Sequence, residues 1–146
     1  MGDLSQRLSR HEFACNCGCG FDTVDYELVS NLEQIANHFL MMDTDVVRTI
    51  LHINSGNRCV AHNDEVLLKY DSDYVPGSSR SQHLHGRASD FRLSAVKEDG
   101  TTVIISPNVV ADYLEERYRG VHGIGRYNGR THYDTRTNGP ARWDTR

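Results

Sequence analysis

From Val24 onward, apolar residues recur with a helical period. Leu28, Val29, Leu32, Ile35, Ala36 and Phe39 fall at i, i+1, i+4, i+7, i+8 and i+11, one face of a 3.6-residue repeat. Asp22 or Thr23 is the expected cap. Residues 48–54 (Arg-Thr-Ile-Leu-His-Ile-Asn) are rich in β-branched side chains and predict a strand, broken by Ser55-Gly56-Asn57. A short helix is expected over 62–70. Residues 71–82 hold Pro76, Gly77 and four serines, a loop composition. Residues 87–93 predict a strand, and Lys97 to Thr101 a turn around Gly100. Ser106-Pro107 is a helix start, a capping serine followed by proline at the first helical position. That helix is expected to reach about Tyr118, with Val110, Tyr113, Leu114 and Arg117 near one stripe. Gly120, Gly123 and Gly125 follow. Thr131 to Arg136 alternates as a strand does, and Asn138-Gly139-Pro140 ends it. Strands and helices mix without a regular βαβ rhythm. The pattern predicts an α+β fold, a small antiparallel sheet with helices packed on it. No repeat or linker divides the chain, so one domain over 1–146 is expected, with 1–23 as an N-terminal tail and cysteine loop.

Composition narrows the class. The 146 residues are 38% apolar and 25% charged, a globular balance. Sixteen Lys and Arg against 20 Asp and Glu leave a net charge of −4, which argues against a nucleic-acid partner. No apolar run approaches the roughly 18 residues of a membrane span. Met1 to Arg7 lacks the basic-then-apolar shape of a secretory signal. A monomer is expected.

Eight histidines and four cysteines change the picture more. In Ser81-Gln82-His83-Leu84-His85-Gly86-Arg87-Ala88-Ser89-Asp90, His83 and Asp90 are seven residues apart. A loop turning at Gly86 brings imidazole and carboxylate together. On a strand through Thr131–Arg136, His132, Asp134 and Arg136 share one face, because side chains alternate. Two histidines and a carboxylate suit zinc, and catalytic zinc takes three protein ligands plus an open position. The bland reading makes the same histidines loop and surface residues.

The pattern Ser-x-His-x-x-Gly-x-Ala-x-Asp, Ser81 to Asp90, resembles the zinc-binding signature of the D-alanyl-D-alanine metallopeptidases, within the wider hedgehog-like and lysostaphin-like peptidoglycan peptidases. Ser55-Gly56-Asn57-Arg58 with His62-Asn63 is similar to that family's Ser-Gly-x-Arg turn. Gly123-Ile124-Gly125-Arg126-Tyr127, His132-Tyr133-Asp134-Thr135-Arg136 and Arg142-Trp143 resemble its closing segment. Phe13-Ala14-Cys15 with Cys17-Gly18-Cys19-Gly20 looks like its phage and bacterial branch. The likeness spans about residues 10–145.

The resemblance implies a Zn2+ ion held by His83, Asp90 and His132. It places Arg58 on a substrate carboxylate or the scissile carbonyl oxygen, a role suited to a forked, permanently charged guanidinium. Ser81, Gln82 and Tyr127 are expected to line the cleft. The family's usual acid, three residues before the last histidine, is here Gly129. Asp134, about 7 Å along the strand from His132, is the expected catalytic carboxylate, or a partner fixing a ligand. The alternative makes Asp134 a ligand and His132 the acid/base. His85 and His122 are further proton-transfer candidates.

Cys15, Cys17, Cys19 and Cys59 leave three possibilities open: a thiolate metal site, disulfides, or free thiols. A bond or shared metal tying the N-terminal loop to Cys59 is expected. The implied function is a zinc peptidase acting on peptidoglycan stem peptides or cross-links, as carboxypeptidase or endopeptidase. Without a signal sequence, a phage lysis enzyme would pass from host cytoplasm to cell wall, or ride in the virion. The alternative is a wall-binding or virion structural module that keeps the fold without hydrolysis.

Overall fold

The computed structural model describes residues 2–146. Nine elements build the fold around two short 3-10 turns: α1 (Tyr26–Met41), β1 (Val46–Ser55), α2 (Val60–Tyr70), β2 (Ala88–Lys97), β3 (Thr102–Ile105), α3 (Pro107–Arg117), β4 (Gly123–Arg126), β5 (Thr131–Asp134) and β6 (Ala141–Asp144). The turns are Arg10–Phe13 and Gln82–His85. The architecture is α+β. The strands form one sheet in the order β1-β2-β5-β4-β6, and β3 also pairs with β2. The pairs are antiparallel except β4 with β6, which run parallel. The sheet is therefore mixed rather than wholly antiparallel. No helix among the described residues is long and apolar enough to cross a membrane.

The hydrophobic stripe of α1 is buried as its period requires: Leu28, Val29, Leu32, Ile35, Ala36 and Phe39 all enter the core. Its N-cap position is Asp25, not Asp22 or Thr23. α3 starts at Ser106-Pro107 as expected and buries Val110, Ala111 and Leu114, while Arg117 stays exposed. Both helices pack on the central strands through Leu51, Phe91, Leu93, Ile124 and Tyr133.

Two segments differ from the sequence pattern. The N-terminal tail is docked: Leu8 and Phe13 are core residues. Glu33 on α1 accepts from the Ser5 hydroxyl at 2.7 Å and the Arg7 amide at 2.6 Å, and pairs with the Arg7 guanidinium. By contrast, α2 buries only Asn63. It serves as a wall of the cleft described below.

β2 is the spine. Its first four residues, Ala88 to Phe91, are all buried, because β1 covers one edge, β5 pairs at the other, and side chains fill both faces. Gly86 delivers the chain into it with φ +69. A Cβ at Gly86 would stand 2.5 Å from the Thr23 carbonyl oxygen. Gly86→Ala therefore meets both an unfavourable backbone region and a backbone clash. It should lower folding stability by about 1–3 kcal/mol, read as a reduced midpoint in urea denaturation.

Candidate metal centre

Strand register brings the chemistry together. Asp90 on β2 lies opposite His132 on β5, His132 opposite Gly125 on β4, and Gly125 beside Trp143 on β6. Ser55, at the end of β1, pairs with Asp90 from the other edge. One row across the sheet thus runs Ser55, Asp90, His132, Gly125, Trp143. A parallel row two residues away holds Ala88, Asp134, Gly123 and Ala141. The small residues make room: a Cβ at Gly125 would lie 2.4 Å from the Trp143 indole, and one at Gly123 would lie 2.2 Å from the Asp134 carboxylate.

His83 comes from the 3-10 turn at Gln82–His85. The Ser81 hydroxyl starts that turn by accepting from the His83 amide at 3.3 Å. The imidazole Nδ1 is 2.5 Å from the Gly56 carbonyl oxygen. A carbonyl only accepts, so Nδ1 carries the proton and Nε2 keeps its lone pair. That Nε2 is buried without a hydrogen-bond partner and sits 3.4 Å from Asp90 Oδ2. On the opposite side, His132 Nδ1 is 3.0 Å from Asp90 Oδ1. Its Nε2 is 2.7 Å from Asp134 Oδ2.

The ligand atoms of His83, Asp90 and His132 all lie within 4.8 Å of one another. Two ligands about 2.1 Å from a tetrahedral ion would be about 3.4 Å apart. A buried lone pair with no partner, two neutral-capable imidazoles and one carboxylate therefore fit a divalent ion of zinc's preference.

Electrostatics follow the geometry. Burial alone would raise the Asp90 carboxyl, but the His132 and His83 imidazoles beside it outweigh that and hold it far below the usual carboxylate range. Burial pushes the His83 imidazole down. Burial would also lower His132, yet the Asp134 and Asp90 carboxylates hold it above its ordinary value.

These groups form the floor of a cleft of about 810 Å³. Arg58, Ser81, Gln82 and Tyr127 all line it, as do His83, Asp90 and His132. Arg58 is held by three contacts: Ser55 Oγ at 3.3 Å, Asn63 Oδ1 at 3.2 Å and Asp90 Oδ2 at 3.4 Å.

The profile of the peptidase M15 family matches residues 6–134. The chain belongs to the peptidase M15 family. No curated protein and no solved structure matches it. Membership supports a metallopeptidase, and the buried His83–Asp90–His132 group supplies a potential metal site in this M15 chain.

Asp134 is placed differently from a group that works on water in the cleft. It is fully buried and is not among the residues lining the cleft. Its Oδ2 accepts from His132 and from Arg136 Nη2 at 2.7 Å, and its Oδ1 accepts from Arg136 Nε at 2.8 Å. Burial alone would raise its carboxyl, but Arg136 and His132 together hold it well below the usual range. It stands behind the His132 ring, away from Asp90. His85 lies apart with Arg87 and Asn138 in a separate shallow pocket. His122 belongs to a cluster with Tyr133, whose hydroxyl is 2.8 Å away. Gly129 lines the cleft, and a Cβ there would meet nothing within 4 Å.

Arg136, Trp143, Asn63, Gly123 and Gly125 stand in sequence motifs that give them no role in the site, and Arg130 stands in none of those motifs. Arg136 clamps Asp134. Trp143 tilts against His132 with ring centroids 4.7 Å apart and donates its indole N–H to the Tyr127 hydroxyl at 2.8 Å. Arg130 lies 4.1 Å from the Tyr127 ring centre. Asn63 and the paired Gly123 and Gly125 complete the set. The three-residue Arg136–Asp134–His132 alternation was the only local hint for the clamp.

The four cysteines also converge. All are unbonded thiols, and their sulfurs lie within 4.8 Å of one another.

Proposed function

We propose that this M15 chain is a zinc-dependent peptidase that hydrolyses peptide bonds of peptidoglycan stem peptides or cross-links. The observation that carries the reading is that the buried lone pair of His83 Nε2 and the ring nitrogen His132 Nδ1 both face one Asp90 carboxylate, on the floor of a cleft bearing Arg58, Arg130 and Arg136. Stem peptides carry free carboxylates, and three guanidiniums suit them. His83, Asp90 and His132 would hold the ion. When bound, zinc lowers the pKa of water toward neutrality and polarises a carbonyl.

The chain's own groups then divide the work. Arg58, braced by Ser55 and Asn63, presents its fork to a substrate carboxylate or carbonyl oxygen. Asp134 keeps the proton on His132 Nε2, which leaves Nδ1 as the donor atom. Tyr127 has one lone pair occupied by the Trp143 N–H, so its own O–H is available to donate into the cleft. Ser81 fixes the turn that aims His83, and Gln82 borders the substrate's path.

Digestion of purified peptidoglycan tests the proposal. Mass spectrometry should find cleaved stem peptides or cross-links, lost with a chelator and restored by zinc. The second reading is a wall-binding or virion module without hydrolysis. It draws on the cleft's lining, in which Asp90 is the sole carboxylate among the described residues. Wall binding without any cleavage by zinc-loaded protein would favour it. The bond specificity emerges from the same spectra, and a phage lysis or virion setting is part of the proposal.

Arg58→Lys isolates the substrate contact. Lysine has one ammonium nitrogen where Arg58 spreads three over Ser55, Asn63 and Asp90, so it cannot keep these contacts in place and present a fork to a substrate oxygen. The variant should retain its metal while kcat/KM falls about 10–100-fold, mainly through KM, measured on a soluble stem peptide.

A further inference from the structure

We propose that Cys15, Cys17, Cys19 and Cys59 bind a second zinc ion, a closed structural site separate from the His83–Asp90–His132 centre. The spacing of the sulfurs makes the case. Cys15 to Cys17 is 3.4 Å, Cys17 to Cys59 is 3.7 Å and Cys15 to Cys59 is 3.9 Å. Cys19 completes a group within 4.8 Å. Four sulfurs at about 2.3 Å from a tetrahedral zinc are about 3.8 Å apart. The thiols converge on one point; they do not divide into two bonded pairs.

The backbone is shaped for such a cage. Gly18 and Gly20 adopt φ +84 and φ +87, folding the Cys-x-Cys-x-Cys run into a tight loop. The Cys15 amide closes that loop on the Phe21 carbonyl at 2.8 Å. Backbone N–H groups already aim at sulfur: Cys59 N–H at Cys15 Sγ, and His62 N–H at Cys59 Sγ, each 3.4 Å. Such donors favour thiolate, the form that binds zinc. Binding four thiols releases four protons as four Zn–S bonds form. With four protein ligands no position stays open, so the ion is structural.

Its place in the fold says what it steadies. Cys59 caps α2 and follows Arg58 directly. Phe13, two residues before Cys15, accepts from the Asn57 amide at 2.9 Å, and a Cβ at Gly56 would lie 2.6 Å from Phe13 Cα. The cage thus clamps the N-terminal loop against 56–59. That short segment supplies both Arg58 and the Gly56 carbonyl that fixes the His83 tautomer.

The test uses the full chain carrying His83→Ala and Asp90→Ala, so it reads the thiolates whether or not the first centre binds metal. Loaded with Co2+, this protein should show intense visible bands and near-ultraviolet sulfur-to-cobalt charge transfer, and should retain one zinc per chain when purified with zinc. Adding Cys17→Ser and Cys19→Ser should remove both signals. Should that variant fail to fold, thiol labelling of the otherwise wild-type cysteines decides. Cys17 and Cys19 are exposed, so they should resist a disulfide reagent with zinc present and react at once after chelation. Prompt labelling with zinc present, cobalt spectra without sulfur charge transfer, or disulfides in the non-reduced mass spectrum would each overturn the proposal.

Discussion

Asp90→Asn is expected to leave a protein that no longer holds an ion between His83 and His132 and releases no muropeptide above background. Asparagine keeps the shape of the side chain but removes the anion. Asp90 faces both ligand nitrogens, at 3.4 Å and 3.0 Å, and also meets Arg58 at 3.4 Å. An amide cannot balance a divalent charge there, and its N–H2 would point toward a lone pair or a guanidinium. Zinc binding raises stability by about 2.7 kcal/mol at 100 times its Kd. For a chain of this length that is about 5–10 °C in melting temperature. Asp90→Asn should forgo that increment while any gain from the cysteine cage remains. Calorimetric melting with and without zinc, alongside metal analysis, measures it. A variant that keeps the full zinc-induced shift and still cleaves would remove Asp90 from the ligand set.

The parts of this centre that could be read from residue order are those that depend on local periodicity. The α1 stripe, the Ser106-Pro107 start and the turn at Gly86 are each encoded within a few residues. The seven-residue gap between His83 and Asp90, and the shared face of His132, Asp134 and Arg136, follow from the same short-range geometry. What could not be read depends on pairing between distant segments. β4 and β6 are four residues each, too short to announce themselves as strands, and half of β4 is glycine. Gly123 and Gly125 make sense only once Asp134 and Trp143 are seen to occupy the missing Cβ positions. The parallel pairing of β6 is likewise a tertiary fact. Leu8 and Phe13 gave no periodic signal because they reach the core from a turn-rich segment. Spacing along β5 put Asp134 beside His132 correctly but left its working direction open. Arg136 decides that direction, by holding both oxygens behind the imidazole ring.

That placement yields a second large effect. Asp134→Asn should weaken zinc at the His83–Asp90–His132 centre by about 10–100-fold, with turnover recovering much of its wild-type value once zinc saturates the variant. The carboxylate accepts from His132 Nε2 at 2.7 Å and from Arg136 at 2.7 Å and 2.8 Å, with the Arg136 amide adding a fourth donor at 3.1 Å. Asparagine offers one oxygen to these donors. If that oxygen stays on Arg136, the amide N–H2 turns toward His132 Nε2. The ring then favours the tautomer protonated at Nδ1, the nitrogen that faces Asp90, and the ion must displace that proton to bind. If the oxygen instead stays on His132, the N–H2 opposes the Arg136 donors in a fully buried position, at a cost in stability of about 1–3 kcal/mol. Competition against a chelator, combined with kcat measured across a zinc titration, separates positioning from proton transfer. A carboxylate that takes a proton from water in the cleft would give the opposite split: unchanged zinc affinity, and turnover that stays lost at saturating metal.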